Sequence, residues 1–147
     1  MPTQPTVNLS FQLSSTASLH EIIVIVKLDD SEIVRWHADT VPLAVDHQFE
    51  DVESEHCLQI VLEGKTANHT TVDPDGAVIK DVLIELDNIS FDGIDIRPLM
   101  WTNSVYHHDF NGTGKPTSED FFGTMGCNGR VELRFTTPVY VWLLENM

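Results

Sequence analysis

Several features that mark common protein classes are missing from this chain of 147 residues. No run of about eighteen apolar residues is long enough to span a membrane, and no cationic, apolar leader opens the chain, so we expect neither a membrane protein nor a signal peptide. Cysteine is scarce, since Cys57 and Cys127 are the only two and they form no Cys-x-x-Cys pair. A zinc or thioredoxin-type site is therefore not predicted. Without a secretory leader we expect two thiols rather than a disulfide.

The short signatures of common enzymes are also missing. The sequence contains no G-x-S-x-G, no H-E-x-x-H and no glycine-rich phosphate loop after a strand. Pairs of carboxylates are plentiful only because acids are plentiful, so no glycosidase pair stands out. We therefore expect a protein that is not an enzyme.

Basic residues are few. Eight lysines and arginines stand against 23 aspartates and glutamates, which gives a formal charge of −15. Such a surface repels phosphate backbones, so direct nucleic-acid binding is disfavoured. The charge suits a cation-binding protein, a partner of something basic or a subunit of a crowded assembly, and plain solubility accounts for it equally well.

What the sequence has is a period of two. Val7, Leu9, Phe11 and Leu13 alternate with polar residues, as in a half-buried strand. Residues 21–28 are apolar on both faces, which fits a central strand covered on each side. Further strands are predicted at residues 32–36, 43–49, 57–64, 81–93, 130–137 and 139–146, and only residues 117–122 suggest a turn or two of helix. We predict one domain over residues 1–147, an all-β, antiparallel, jelly-roll-like sandwich of eight or nine strands.

The stretch DVLIELDNISFDG, residues 81–93, is an unusually acidic strand. Its apolar face runs through Val82, Ile84 and Leu86, and then continues at Ile89 and Phe91, so the phase slips by one residue at Asp87-Asn88. Such a slip predicts a β-bulge, or a strand that leaves one sheet for another, with the acids facing outward.

A calcium site is one interpretation of the loop before this strand. Asp73 and Asp75 lie in an Asp-Pro-Asp-Gly turn, and Asp81 begins the strand, so their hard oxygen atoms could converge on Ca²⁺. The alternative is a plain hairpin turn followed by a solvated strand end.

The irregular region from 97 to 129 holds two further candidate sites. Its aromatic residues could stack on sugar rings beside asparagine side chains; from this group we select Trp101, Tyr106, Asn111 and Phe121 as ligand-binding candidates. The alternatives are that the aromatics fill the core beneath a long loop or pack against a partner.

In Tyr106-His107-His108-Asp109, His107 and Asp109 share a strand face and could bind a transition metal with a distant third ligand. The alternative there is a strand with one buried and one exposed histidine.

Two stretches resemble the calcium-dependent xylan-binding modules, which are small jelly rolls appended to glycoside hydrolases. These stretches are IIVIVKLDDSEIVRW (22–36) and LDNISFDG (86–93), although Asn88 stands where that family usually has an aromatic residue. The resemblance implies a jelly roll that binds polysaccharide with the help of calcium, and it marks Asp81 as the ligand to test.

A larger part of the chain is similar to small proteins of unassigned role from large tailed phages, particularly those of cyanobacteria. The matching stretches are residues 65–96, HDFNG at 108–112, and 121–147. This resemblance implies a virion-associated β-sandwich, made in the host cytoplasm, whose partners are other virion proteins or further copies of itself. The function predicted is a non-enzymatic virion structural protein, used in capsid decoration, tail or fibre. The alternative is a calcium-assisted module that recognises a host surface polysaccharide.

Overall fold

The computed structural model of the chain describes residues 5–66, 70–72, 74–75, 78–109, 112 and 114–147. Within these residues, two antiparallel sheets enclose one apolar core, so the predicted all-β sandwich is confirmed. The strands are β1 (Thr6–Ser15), β2 (Leu19–Leu28), β3 (Ser31–Ala38), β4 (Leu43–Glu50), β5 (Ser54–Glu63), β6 (Thr70–Val72), β7 (Val78–Asp81), β8 (Ile84–Phe91), β9 (Ile94–Asp95), β10 (Val105–His108), β11 (Thr117–Asp120), β12 (Thr124–Met125) and β13 (Gly129–Thr137). The helices are α1 (Arg97–Asn103) and α2 (Val139–Asn146). That residues 1–147 form one domain stays a prediction.

The strands form sheets of two sizes. The five-stranded sheet has the order β12-β8-β1-β4, with β9 paired to β8, and the six-stranded sheet has the order β11-β10-β13-β5-β2-β3. β6 and β7 form a separate hairpin. The sheets hold more strands than the eight or nine predicted, because several are only two to four residues long.

Strand β1 shows how the period of two divides the five-stranded sheet into two faces. Val7, Leu9 and Leu13 are fully buried, and Phe11 is 2% exposed. Successive side chains of a strand point to opposite faces, so the polar residues between them point outward. The outer face of this sheet is therefore polar, and it carries the candidate site described below.

The phase slip in β8 is a β-bulge, as predicted. Ser10 pairs with Ser90, but Gln12 pairs with Asp87. One residue of β1, Phe11, therefore lies opposite two residues of β8, Asn88 and Ile89. Asn88 sits in the bulge with a positive φ of 55°, which asparagine tolerates better than most residues. Both Asp87 and Asn88 are exposed. The prediction that the acids of this strand face outward is confirmed for Glu85 and Asp87.

Both helices were missed from the sequence. VYVWLLEN was predicted as a strand because valine, tyrosine and tryptophan favour strands, yet it forms α2, with Val139, Trp142 and Leu143 buried. That i, i+3, i+4 spacing is the helical signal. Residues 117–120, predicted as a helical turn, form β11 instead. Among the described residues, no helix is long and apolar enough to cross a membrane.

The two cysteines are free thiols, as expected. Each is partly buried, and this desolvation raises the pKa of both Cys57 and Cys127 above the ordinary value. Neither thiol is therefore activated as a nucleophile.

Candidate functional site

An open groove of about 630 Å³ lies on the outer face of the five-stranded sheet. Its floor is made by outward-facing polar residues of three adjacent strands, and its wall by α1 and the segment before β12. The lining residues are Gln12, Ser14, Pro42, Glu85, Leu86, Asp87, Asp95, Arg97, Pro98, Trp101, Phe122, Gly123 and Thr124. The volume lies in the range of small-ligand sites.

Trp101 is held in the wall by its neighbours. Its ring meets Phe121 edge to face, with 5.7 Å between ring centroids. On another side it lies against Gly123, where a Cβ atom would be 2.9 Å from Cη2 of the indole. Gly123 also has a φ of +99°, a conformation that glycine adopts without strain. The indole is thus fixed while part of it lines the groove, and next to it Phe122 is 68% exposed.

Arg97 is held over the floor by carboxylates. Its Nε lies 3.1 and 3.0 Å from the two oxygens of Asp95, and its Nη2 donates to Asp95 Oδ2 at 2.8 Å. Nη1 lies 3.8 Å from Asp87 Oδ1. The hydrogen bond from Arg97 lowers the pKa of Asp95, and the same pairing raises the pKa of Arg97. The guanidinium is therefore a charged donor of fixed orientation.

The floor supplies hydrogen-bond acceptors. Glu85 and Asp87 are exposed carboxylates on β8. Gln12 on β1 accepts a hydrogen bond from Asn88 Nδ2 at 3.1 Å, which orients its amide. An aromatic wall over a floor of carboxylate, amide and guanidinium groups suits a ligand that has an apolar face and many hydroxyls.

Of the predicted ligand-binding residues that the structure describes, only Trp101 lines this groove. Phe121 is 1% exposed and packs beneath Trp101, so it offers no face to a ligand. Tyr106 is 4% exposed; its hydroxyl donates to the carbonyl of Cys127 and accepts from the Cys127 backbone N–H at 2.9 Å. Both assignments are corrected: these aromatics fill the core, the alternative drawn from the sequence. Asn111 lies outside the described residues. Phe122, the neighbour of Phe121, is the exposed member of this pair, and 68% of it is accessible.

The structure describes two of the three predicted metal ligands, Asp75 and Asp81. Asp73 lies outside the described residues, and Asp75 is exposed. Asp81 Oδ1 lies 2.5 Å from the ammonium of Lys65, whose side chain is 1% exposed. The Asp81 carboxylate therefore already has a cation as its partner. Within the part of the chain that the structure describes, no group of three histidine, cysteine or acidic residues could hold a metal ion.

His107 and His108 agree with the alternative to a metal site, a strand with one buried and one exposed histidine. His108 is 8% exposed, with Nε2 lying 3.2 Å from Glu119 Oε1. His107 is partly exposed, and its Nδ1 lies 2.8 Å from Ser118 Oγ. The strand thus carries one buried and one partly exposed histidine.

Comparison with known proteins identifies the fold. No family model matches the chain, and no curated protein matches it. A solved structure of vCBM60 matches with a TM-score of 0.51 and 11% identity, covering 86% of this chain and 89% of that one. Its description is that circular permutation provides an evolutionary link between two families of calcium-dependent carbohydrate-binding modules. A structure of vCBM60 in complex with galactobiose matches with a TM-score of 0.48 and 13% identity, covering 86% and 96%. The chain thus has the jelly-roll fold of a carbohydrate-binding module. None of these matches supports the resemblance to phage proteins.

Proposed function

We propose that this protein is a glycan-binding module and that its site is the groove between α1 and β8. The observation that carries the proposal is the joining of an aromatic wall, Trp101 and Phe122, to a polar floor in one open groove. Pyranose rings have C–H faces that pack on aromatic rings. Their hydroxyls can donate to carboxylates such as Glu85 and accept from the guanidinium of Arg97. The carbohydrate-binding-module fold is consistent with this use.

The charges of the groove favour a neutral glycan. Three carboxylates, those of Glu85, Asp87 and Asp95, line it together with the guanidinium of Arg97. The formal charge of the whole chain is −15. Uronic-acid and sulfated polysaccharides would be repelled by this field, whereas neutral chains would not.

Affinity electrophoresis in gels containing neutral polysaccharides tests the proposal, with acidic polysaccharides run in parallel. We expect the protein to be retarded by at least one neutral polysaccharide and by none of the acidic ones. Phe122→Ala is expected to weaken binding about tenfold, because it removes an exposed stacking surface. Leu144→Ala is the matched control, since Leu144 is 78% exposed on α2 and does not line the groove. Equal affinity of the two variants, or no retardation at all, would overturn the proposal.

A second candidate function is that of an assembly subunit, for which the sequence suggested a virion, and the surface of α2 favours packing against a partner. Four of the residues at this end of the chain are large, apolar and at least half exposed: Tyr140, Val141, Leu144 and Met147. An apolar surface of this kind is suited to packing against a partner. Light scattering of the purified protein tests it, with a mass well above 16.5 kDa expected for an assembly subunit. A mass that stays at 16.5 kDa as the protein concentration is raised would contradict it.

A further inference from the structure

A second cavity continues the groove along β8. Its volume is about 220 Å³, and Asn88, Ser90 and Gly93 line it. Asp95 and Arg97 line both this cavity and the groove of about 630 Å³. The two spaces are therefore neighbours on the same face of the sheet, and the Asp95–Arg97 pair stands between them.

The bulge in β8 makes one continuous polar floor beneath both spaces. Glu85 and Asp87 line the larger groove, and Asn88 and Ser90 line the smaller cavity. In a regular strand, consecutive residues would face opposite sides. Because Asn88 has a φ of 55° at the bulge, both it and Asp87 are exposed. At a rise of about 3.3 Å per residue, the floor from Glu85 to Ser90 runs for roughly 15 Å, which is longer than one sugar ring.

Arg97 can donate hydrogen bonds to a ligand in the larger groove and to one in the smaller cavity. A guanidinium has five N–H donors, and the bonds to Asp95 use the Nε donor and one Nη2 donor. The others remain for a ligand, and 47% of the side chain is exposed. Since Asp95 fixes the orientation of the guanidinium, these donors are directed before any ligand arrives.

We propose that the site binds an extended neutral glycan longer than a disaccharide, with subsites on either side of Arg97. The larger subsite stacks a sugar on Trp101 and Phe122, and the smaller one holds the next part of the chain over Asn88 and Ser90. This inference rests on the proposed glycan-binding function. It identifies the ligand as a stretch of polysaccharide chain rather than a single sugar.

The test is calorimetric titration with neutral oligosaccharides of increasing length, taken from the xylo-, cello-, manno- and galacto- series. We expect affinity to rise at least about tenfold beyond the disaccharide and then to level off. Ser90→Tyr fills the smaller subsite, so it should reduce the affinity for long oligosaccharides to that for the disaccharide. Its control is Gln48→Tyr, at an exposed position of β4 outside both cavities.

The outcomes separate the two proposals. If disaccharides and long oligosaccharides bind equally, or if Ser90→Tyr lowers the affinity for every length alike while its thermal unfolding matches that of the wild type, the two-subsite arrangement is overturned and glycan binding stands. If no oligosaccharide of any series binds, the proposed function itself is overturned. Length-dependent binding that Ser90→Tyr removes and Gln48→Tyr retains supports both.

Discussion

The ammonium group of Lys65 lies 2.5 Å from a carboxylate oxygen of Asp81, although only 1% of the Lys65 side chain is exposed. Lys65 Nζ also donates to the carbonyl of Gly126. The Asn128 amide bonds to both the backbone N–H and the carbonyl of Lys65, at 2.8 and 2.7 Å. A buried ammonium is costly unless an anion compensates it. Asp81, which the sequence suggested as a calcium ligand, is therefore the counter-ion of a buried lysine.

Asp81→Asn should lower the free energy of unfolding by about 3 kcal/mol, because it leaves the Lys65 charge buried and uncompensated. Urea unfolding measures the loss. Asp120→Asn is the control, since Asp120 is an exposed acid of β11 outside this cluster. We expect it to change stability by less than about 0.5 kcal/mol. Equal effects of the two substitutions would show that the ion pair contributes little.

Calcium should not alter the effect of Asp81→Asn. If Asp81 acts only on Lys65, the melting temperature of the variant falls by the same amount in millimolar calcium and in excess chelator. A ligand that binds only the folded state raises the melting temperature of the protein. A calcium-dependent rise in the wild type that Asp81→Asn abolishes would instead make Asp81 a metal ligand and restore the original prediction.

Glycan affinity should depend on pH through Asp95. Its pairing with Arg97 lowers the carboxyl pKa below the ordinary 3.8, so the paired state is fully present above that value and is lost as pH falls through the lower pKa of the folded protein. We expect affinity to be constant from neutral pH to about pH 5 and to fall only below about pH 4. Calorimetry with Asp95→Asn should give weaker binding without that dependence. Glu85 and Asp87 also face the groove, so a fall that persists in Asp95→Asn would assign it to them.

Substitution of two glycines with similar φ angles, Gly64 and Gly93, should lower the stability of the fold to different extents. Gly64 and Gly93 have φ of +88° and +80°, so alanine at either position pays about 1–2 kcal/mol for the left-handed conformation. At Gly64 the added Cβ would also lie 2.0 Å from the carbonyl oxygen of Glu21, whereas at Gly93 nothing lies within 4 Å. Denaturant unfolding should show a much larger loss for Gly64→Ala than for Gly93→Ala. Similar losses would mean that β2 can shift to make room.

The sequence predicted strands and bends where the pattern was local. The bulge at Asn88 was visible because the apolar phase slips within one strand. Helix α2 was misassigned because the strand preference of valine, tyrosine and tryptophan was given more weight than the spacing of Val139, Trp142 and Leu143, which pack on the core. Pro98 stands in the first turn of α1, and a proline in that position is a sequence signal for the start of a helix.

The site was only partly predictable for a different reason. Trp101 was found because an aromatic residue in an irregular region is a plausible binding residue. Phe121 was chosen over Phe122 because no periodic pattern around them shows which side chain faces inward. Arg97 and Asp87 were not linked to Trp101 at all, since their proximity depends on the order of strands in the sheet, and that order is set by contacts between residues far apart in the sequence.

The fit of the Trp101 indole against Gly123 has a consequence for tracing the ancestry of this site. Position 123 tolerates no side chain while the indole stays in place, so the two positions are expected to change together during evolution. A distant homologue that retains both residues is expected to keep the groove wall. Where another residue replaces the glycine, the indole must lie elsewhere or be absent. The identity between this chain and vCBM60 is only 11%. At such low identity, positions 101 and 123 distinguish proteins that share the groove from proteins that share only the fold.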